Sequence, residues 1–71
     1  MAEDIHCETA GMIWKLWVKE GDTVTDGQEL FIMEVMKMEV PYEAPCDGVV
    51  KRLSIAEGDV VKEDDLAMVI G

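Results

Sequence analysis

The sequence predicts an all-β fold in which two small antiparallel sheets pack face to face. Three observations support this fold class: the chain repeats itself once, each copy alternates apolar and charged residues, and Gly-Asp turns recur at short intervals. Such frequent turns leave little room for a helix. The 71 residues suffice for a single domain over residues 1–71 but not for a deep, closed pocket.

The internal repeat is seen by setting Gly11 against Gly48, a spacing of 37 residues. The first copy reads GMIWKLWVKEGDTVTDGQELFIM and the second reads GVVKRLSIAEGDVVKEDDLAMVI. Two equivalent β units predict a pseudo-two-fold axis through the domain. We expect the second copy to be one residue shorter before Leu66, with a rearranged turn at Asp64 and Asp65.

Each copy contains a strand, a turn and a second, more apolar strand. The residues expected on one face of the first strand are Met12, Trp14, Leu16 and Val18. Trp17 falls on the opposite face from Trp14, so one of the two is expected in the core. Glycine tolerates positive φ and aspartate binds its own backbone, which makes both typical of turns. The residues expected in turns are Gly21, Asp22, Gly48, Gly58 and Asp59.

The segment 28–41 has no Gly, Pro or Asn between its ends. As one strand it would extend about 46 Å, whereas a chain of this size has a radius of gyration of about 11 Å. The segment must therefore bend or be helical. A helix ending before Pro41 is the rival interpretation, since Leu, Met, Glu and Lys form helices well.

A bend about Met36 and Lys37 is favoured, because apolar and charged residues alternate beyond it. It predicts the cross-strand pairs Val35–Met38, Met33–Val40 and Glu34–Glu39. The last pair brings two like charges together and is unfavourable. Met-Lys is also a poor two-residue turn, since such turns favour Asn-Gly or Asp-Gly. A broken local rule at an exposed tip often marks function.

The composition excludes several classes of function. Asp and Glu total 16 against 6 for Lys and Arg, a net charge of −10 that disfavours nucleic acids and anionic membranes as partners. No apolar stretch approaches the roughly 20 residues of a membrane span, and no leader-like segment opens the chain. One bridge between Cys7 and Cys46 is the alternative, but reduced thiols in a cytoplasmic protein are expected. We expect a monomer when the protein is alone.

Motifs for catalysis are absent from the sequence: it has no Ser/His/Asp grouping, no phosphate-binding loop and no zinc-ligand spacing. We therefore expect no catalytic residue and no metal site. Soft ligands for Cu(I) are the one metal alternative. They are Met33, Met36, Met38, His6 and Cys7. Strand alternation sends Met33 and Met36 to opposite faces, which disfavours such a site.

Residues 34–38, Glu-Val-Met-Lys-Met, resemble the attachment motif of biotinyl domains in the biotin/lipoyl attachment family. In that motif a biotin ligase acylates the lysine between two methionines. The resemblance covers nearly the whole chain, which looks most like small free-standing biotin/lipoyl attachment proteins; one domain of a larger carboxylase subunit is the alternative. It implies a flattened barrel-sandwich of two four-stranded antiparallel sheets with pseudo-two-fold symmetry and Lys37 on an exposed hairpin. It also implies a non-enzymatic carrier with biotin bound covalently to Lys37.

The resemblance further implies the partners of this carrier. They are a biotin protein ligase and the biotin carboxylase and carboxyltransferase components of a carboxylase. The residues expected to be recognised around the lysine are Glu34, Val35, Met36, Met38 and Glu39. Lipoyl domains usually show Asp-Lys-Ala at the lysine, so the methionines favour biotin, with lipoate as the alternative. An unmodified interaction module is a further alternative, which replacement of Lys37 distinguishes from a carrier.

Overall fold

The computed structural model describes residues 2–71 of the chain. These residues form eight strands joined by turns and loops, and none of them lies in a helix. The strands are β1 (Glu3–His6), β2 (Gly11–Leu16), β3 (Thr23–Val24), β4 (Glu29–Val35), β5 (Met38–Glu43), β6 (Gly48–Leu53), β7 (Val60–Val61) and β8 (Leu66–Ile70). Within these residues no helix is long and apolar enough to cross a membrane.

The strands form two four-stranded antiparallel sheets, as predicted. One sheet has the order β1-β8-β6-β3, and the other has the order β5-β4-β2-β7. A shift of 37 residues carries β2 onto β6, β3 onto β7 and β4 onto β8, so each sheet is the pseudo-symmetric counterpart of the other. We call the sheet that contains β4 and β5 the hairpin sheet and its counterpart the second sheet.

The core lies between the inner faces of the two sheets. Its fully buried side chains include Phe31 and Met33 of β4 and their counterparts Met68 and Ile70 of β8. Phe31 also stacks on Tyr42, with ring centroids 4.5 Å apart and planes at 14°. The domain measures 32 × 18 × 16 Å, so a straight strand over residues 28–41 would not have fitted inside it. The helix considered for this segment is wrong, because the chain turns back between β4 and β5.

The turns that precede β4 and β8 are equivalent. Gly27 has a φ of 85°, and Asp64, 37 residues later, has a φ of 72°. Gln28 and Asp65 each accept a hydrogen bond from the backbone N–H three residues earlier, at 3.0 Å and 2.8 Å. The expected rearrangement at Asp64 and Asp65 is therefore wrong, because aspartate tolerates the left-handed region and a carboxylate replaces the amide as acceptor.

The repeat also contains no deletion before the last strand. Trp17 N donates to Leu30 O at 3.0 Å, and Ser54 N donates to Ala67 O at 2.8 Å, so the spacing of 37 residues continues into β8. Leu30 therefore corresponds to Ala67, and both side chains are buried. The expected one-residue shortening is wrong because Leu66 matches Leu30 in residue type but not in structural position.

Both tryptophans are exposed, Trp14 to 39% and Trp17 to 54%, so the expectation of one core tryptophan is wrong. A β-bulge is the cause: Ile13 pairs with Met33 and Lys15 pairs with Ile32, which leaves Trp14 unpaired. The bulge breaks the simple alternation from Met12 to Val18, and the buried residues of this segment are Ile13 and Val18. The second sheet has the same bulge at the equivalent Lys51.

Candidate attachment site

The hairpin between β4 and β5 turns about Met36 and Lys37, as predicted. The cross-strand pairs are Val35–Met38, Glu34–Glu39 and Met33–Val40. The φ angles are 51° at Met36 and 67° at Lys37, so both turn residues lie in the left-handed region. This is the backbone of a type I′ turn, which asparagine and glycine normally occupy. Met-Lys therefore adopts a demanding conformation at the position where the sequence predicts the functional lysine.

The tip is open to solvent on both sides of the lysine. Lys37 is exposed, while Met36 and Met38 expose 92% and 68% of their surface. Methionines that fill a core are buried, so neither of these two side chains fills the core. A two-residue tip carries the amine beyond the end of the sheet and fixes where the side chain starts. An approaching protein can therefore reach Nζ without disturbing the core.

The other residues expected to be recognised differ in exposure. Glu34 and Glu39 are exposed and lie directly opposite each other, one pair below the tip. Val35 is half-buried and packs against the core. The like-charge pair is unfavourable for the hairpin by itself and makes the surface beside the lysine acidic. The arrangement therefore suits a partner that brings a cationic group to this pair.

Gly11, at the start of β2, packs closely against the base of the hairpin. A Cβ atom at Gly11 would lie 2.6 Å from Glu34 O and 2.9 Å from Met33 Cε. Glycine thus lets β2 approach β4 closely at the strand that ends in the tip. Sequence reasoning used Gly11 only to align the repeat and missed this role. The signal that could have found it is the repeat, which places a glycine at the equivalent position 48 as well.

Gly48 is the first residue of β6, not a turn residue as predicted. A Cβ atom there would lie 2.8 Å from Ile70 Cγ2 and 2.9 Å from Gly71 O. The requirement is therefore close strand packing, as at Gly11. Gly21 and Gly58, by contrast, lie in turns with φ angles of 92° and 90°.

The two Glu-Gly-Asp segments connect the halves of the domain. Glu57 Oε2 accepts a hydrogen bond from Leu16 N, and Glu20 Oε2 accepts one from Leu53 N, each at 3.0 Å. Within the turns, Asp22 and Asp59 each accept from the backbone N–H three residues earlier, at 3.0 Å and 2.9 Å. These acids close the ends of the barrel, a structural role that accounts for their presence in both copies.

The soft metal ligands do not converge. Met33 is fully buried in the core, whereas Met36 is almost fully exposed at the tip. Among residues 2–71 no three His, Cys, Asp or Glu side chains are grouped as a metal site would require. Both cysteines are free thiols; Cys7 is buried and Cys46 is half-buried.

An open groove of about 340 Å³ lies between the edge strands β1 and β5. Its lining includes the carboxylates of Glu3, Asp4, Glu8 and Glu43 and the ring of Tyr42. Tyr42 Oη accepts a hydrogen bond from Glu8 N at 2.9 Å. Burial raises the pKa of Tyr42, and the Glu8 carboxylate adds to the rise, while the hydrogen bond opposes it. None of the residues expected at the attachment site lines this groove.

Known proteins show the same sequence pattern and fold. The family described as "Biotin-requiring enzyme" matches residues 3–70. The chain is 44% identical over 64 residues to the "Biotin/lipoyl attachment protein" of Bacillus subtilis, covering 90% of this chain and 88% of that one. It is 40% identical over 70 residues to the "Biotinylated protein TB7.3 homolog" of Mycobacterium leprae, covering 99% of each.

A solved structure shows the same fold. The crystal structure of the Kluyveromyces lactis urea carboxylase matches with a TM-score of 0.89 and 35% sequence identity, over 100% of this chain and 6% of the carboxylase chain. Similar domains thus occur both as small proteins and as short parts of large carboxylases.

A small β domain that presents one lysine on an exposed hairpin tip is the form of a cofactor carrier rather than of an enzyme. The sequence match over residues 3–70 and the structural match agree with this class. The chain belongs to the biotin/lipoyl attachment family, and it is a non-catalytic carrier domain.

Proposed function

We propose that this carrier holds biotin in amide linkage on Lys37 Nζ and moves a carboxyl group between the two active sites of a biotin-dependent carboxylase. The observation that carries the proposal is the tip itself: Lys37 is exposed between two exposed methionines in a strained type I′ turn. A family match over nearly the whole chain supports biotin as the group attached there.

The attachment step needs a second protein. A lysine side chain alone is a poor nucleophile toward an acyl group and must be activated by a base. A biotin protein ligase supplies a base and a biotinyl group activated at its carboxyl carbon. Nζ attacks that carbon, the amide C–N bond forms, the bond to the leaving group breaks, and the base takes the Nζ proton. The carrier contributes the reach and direction of Nζ.

The transfer step uses the modified side chain as a tether. A flexible arm keeps biotin at high effective concentration near both active sites without new contacts at each visit. A biotin carboxylase component places a carboxyl group on the ureido ring, and a carboxyltransferase component removes it. The hairpin fixes one end of the arm, and biotin carries out the chemistry.

Biotin is preferred over lipoate because of the residues beside the lysine. Met36 and Met38 present large apolar side chains on both sides, where lipoyl domains usually show aspartate and alanine. The double change Met36→Asp/Met38→Ala is therefore expected to slow biotinylation at least about tenfold, roughly 1.4 kcal/mol. The same change is expected to make the chain a better substrate for a lipoate ligase.

The test is the intact mass of the purified protein after incubation with biotin, MgATP and a biotin protein ligase, and in parallel with lipoate and a lipoate ligase. The expected result is the mass of one biotinyl group on the wild-type chain and none on Lys37→Arg. A single lipoyl group instead of biotin would identify a lipoyl carrier. No addition under either condition would contradict the carrier proposal and favour an unmodified interaction module.

A further inference from the structure

The outer face of the hairpin sheet is more apolar than the outer face of the second sheet. Met12 of β2 pairs with Val60 of β7, and Trp14 protrudes from the bulge beside them. Trp14 is 39% exposed and Val60 is 84% exposed, while Met12 is half-buried. Ile13 is fully buried, so Met12 lies on the face that points away from the core. We call these three residues the apolar face.

Single exposed apolar residues are ordinary on protein surfaces. The pseudo-symmetry provides an internal control, because the second sheet has the same backbone with different residues. A shift of 37 residues carries Trp14 onto Lys51 and Val60 onto Thr23, both of which are exposed. The fold itself thus requires neither an exposed tryptophan at the bulge nor an exposed valine in the short strand. Met12 corresponds to the half-buried Val49 and adds little to this difference.

The acidic pair beside the tip shows the same asymmetry. Glu34 and Glu39 oppose each other, whereas the equivalent positions of the second sheet are Gly71 and Ala2. Met12 is also the cross-strand neighbour of Glu34. Cross-strand neighbours therefore form a row just below the lysine, which consists of Glu39, Glu34, Met12 and Val60. The row has two carboxylates at one end and residues of the apolar face at the other.

The residues of this row and the apolar face indicate which side chains a partner surface needs. A complementary surface has an apolar patch against Trp14 and Val60 and a cationic side chain between Glu34 and Glu39. A second copy of this chain fits poorly, because each copy has a net charge of −10. The Lys15 ammonium already lies 5.3 Å from the centroid of the Trp14 ring, so the ring accepts cationic neighbours.

The position of the row selects one partner. Glu34 is the penultimate residue of β4 and lies only three residues before Lys37, so a protein seated on the row also covers the tip. A protein that acts on biotin at the end of its tether does not need this proximity. A protein that acylates Nζ does, because its base must reach the amine itself.

From these observations we propose that Met12, Trp14 and Val60 form, with Glu34 and Glu39, a docking face for the biotin protein ligase that modifies Lys37. This inference rests on the proposed function. It extends the recognition surface from the hairpin onto β2 and β7, which the attachment motif does not include. The ligase surface that fits is apolar and bordered by lysine or arginine.

The test replaces the face with the residues that the second sheet already accommodates. In Trp14→Lys/Val60→Thr, each new residue is the one found 37 positions away. The control is Thr23→Lys, which adds the same charge on the second sheet. Steady-state biotinylation is measured with varied carrier, a biotin protein ligase, biotin and MgATP. We expect kcat/KM to fall about tenfold or more for the double variant, mainly through KM, and to stay within about twofold for the control.

A second variant guards against misfolding. Val60→Lys changes a side chain that is already 84% exposed, and we expect it to lower kcat/KM in the same direction. Circular dichroism and thermal unfolding establish that each variant is folded. If the wild type is biotinylated on Lys37 and both variants react at the wild-type rate, the docking face is wrong while the carrier function stands. A wild-type dimer that the variants dissociate would also overturn it, since the face would then join two copies. No biotinylation of the wild type would contradict the proposed function itself.

Discussion

Met36 and Lys37 carry an energetic cost at the tip of the hairpin. A residue other than glycine in the left-handed region is destabilised by about 1 kcal/mol, and both turn residues have positive φ. Glycine at position 37 would remove this cost but also the amine. The sequence thus keeps a less stable turn at the position where the proposed attachment requires an amine.

We expect Met36→Asn/Lys37→Gly to raise the free energy of unfolding by about 1–2 kcal/mol. Asn-Gly is the preferred pair for a type I′ turn, so the strain at both positions is relieved. Urea denaturation of the unmodified proteins measures the change. Lys37→Arg serves as the control, since it keeps a non-glycine residue at the same φ. A double variant no more stable than this control would mean that the turn is unstrained.

Cys7 makes stability depend on pH. Burial raises the pKa of the Cys7 thiol, and the nearby Asp65 carboxylate raises it further. An acid whose pKa is higher in the folded state stabilises the fold fully below its unfolded pKa, and this contribution is lost as the pH rises above about 8.5. We therefore expect the free energy of unfolding to fall between about pH 8.5 and pH 9.5.

The measurement is urea denaturation across this range under reducing conditions, with Cys7→Ala compared to the wild type. The alanine variant is expected to be less stable throughout, because it leaves a cavity, but to lose less stability between the two pH values. The upper limit avoids the ionisation of Tyr42. Parallel pH profiles for the two proteins would assign the fall to other groups.

At the level of strands, the base of the hairpin depends on the contact between β2 and β4. Gly11→Ala places a Cβ atom 2.6 Å from Glu34 O, so the strands must separate. We expect a loss of about 1–3 kcal/mol of stability and slower biotinylation. Gly48→Ala is the matched control, since it creates an equivalent clash in the second sheet. It should lower stability by a similar amount without slowing biotinylation beyond about twofold.

Both quantities are measured on the same samples, by thermal unfolding and by ligase kinetics. Equal effects of the two substitutions on biotinylation would show that the ligase responds to global stability. The hairpin base would then have no special role in presenting Lys37.

Residue alternation and the repeat of 37 residues predicted the hairpin, the two sheets and the pseudo-symmetry correctly. The alternation beyond Met36 and the impossibility of a long straight strand were sufficient to place the turn. The same patterns failed at Trp14 and Asp64. A β-bulge inserts one residue without a signal in residue type, and an aspartate can replace a left-handed glycine. Alternation therefore overlooked the inserted residue, and alignment by residue type overlooked that aspartate and glycine share one backbone conformation.

The candidate site was predictable only in part. Lys37 stood out because Met-Lys breaks the rules for a tight turn and because the motif resembles a known family. The close approach at Gly11 and the apolar face at Trp14 and Val60 involve strands distant in sequence from the hairpin. Local sequence patterns do not reveal such contacts. They become visible only when the equivalent positions of the two sheets are known from the structure.

At the scale of the whole molecule, the net charge of −10 opposes compaction. We expect the thermal unfolding temperature to rise as sodium chloride increases from about 10 mM to about 300 mM, because screening weakens the repulsion. Replacing the exposed Glu43 and Glu63 with lysine is expected to reduce this dependence. A salt response identical to that of the wild type would show that net charge does not control stability. Size-exclusion chromatography of the same samples tests the predicted monomer.

Biotin on Lys37 is the central claim, and peptide mapping of the protein isolated from its own cells tests it most directly. Trypsin cleaves after lysine but not after an acylated lysine, so biotinylation of Lys37 is expected to give one peptide of residues 20–51 that carries a single biotinyl group. Unmodified protein would give two peptides, 20–37 and 38–51. Recovery of only those two peptides, or of biotin on another lysine, would contradict the account.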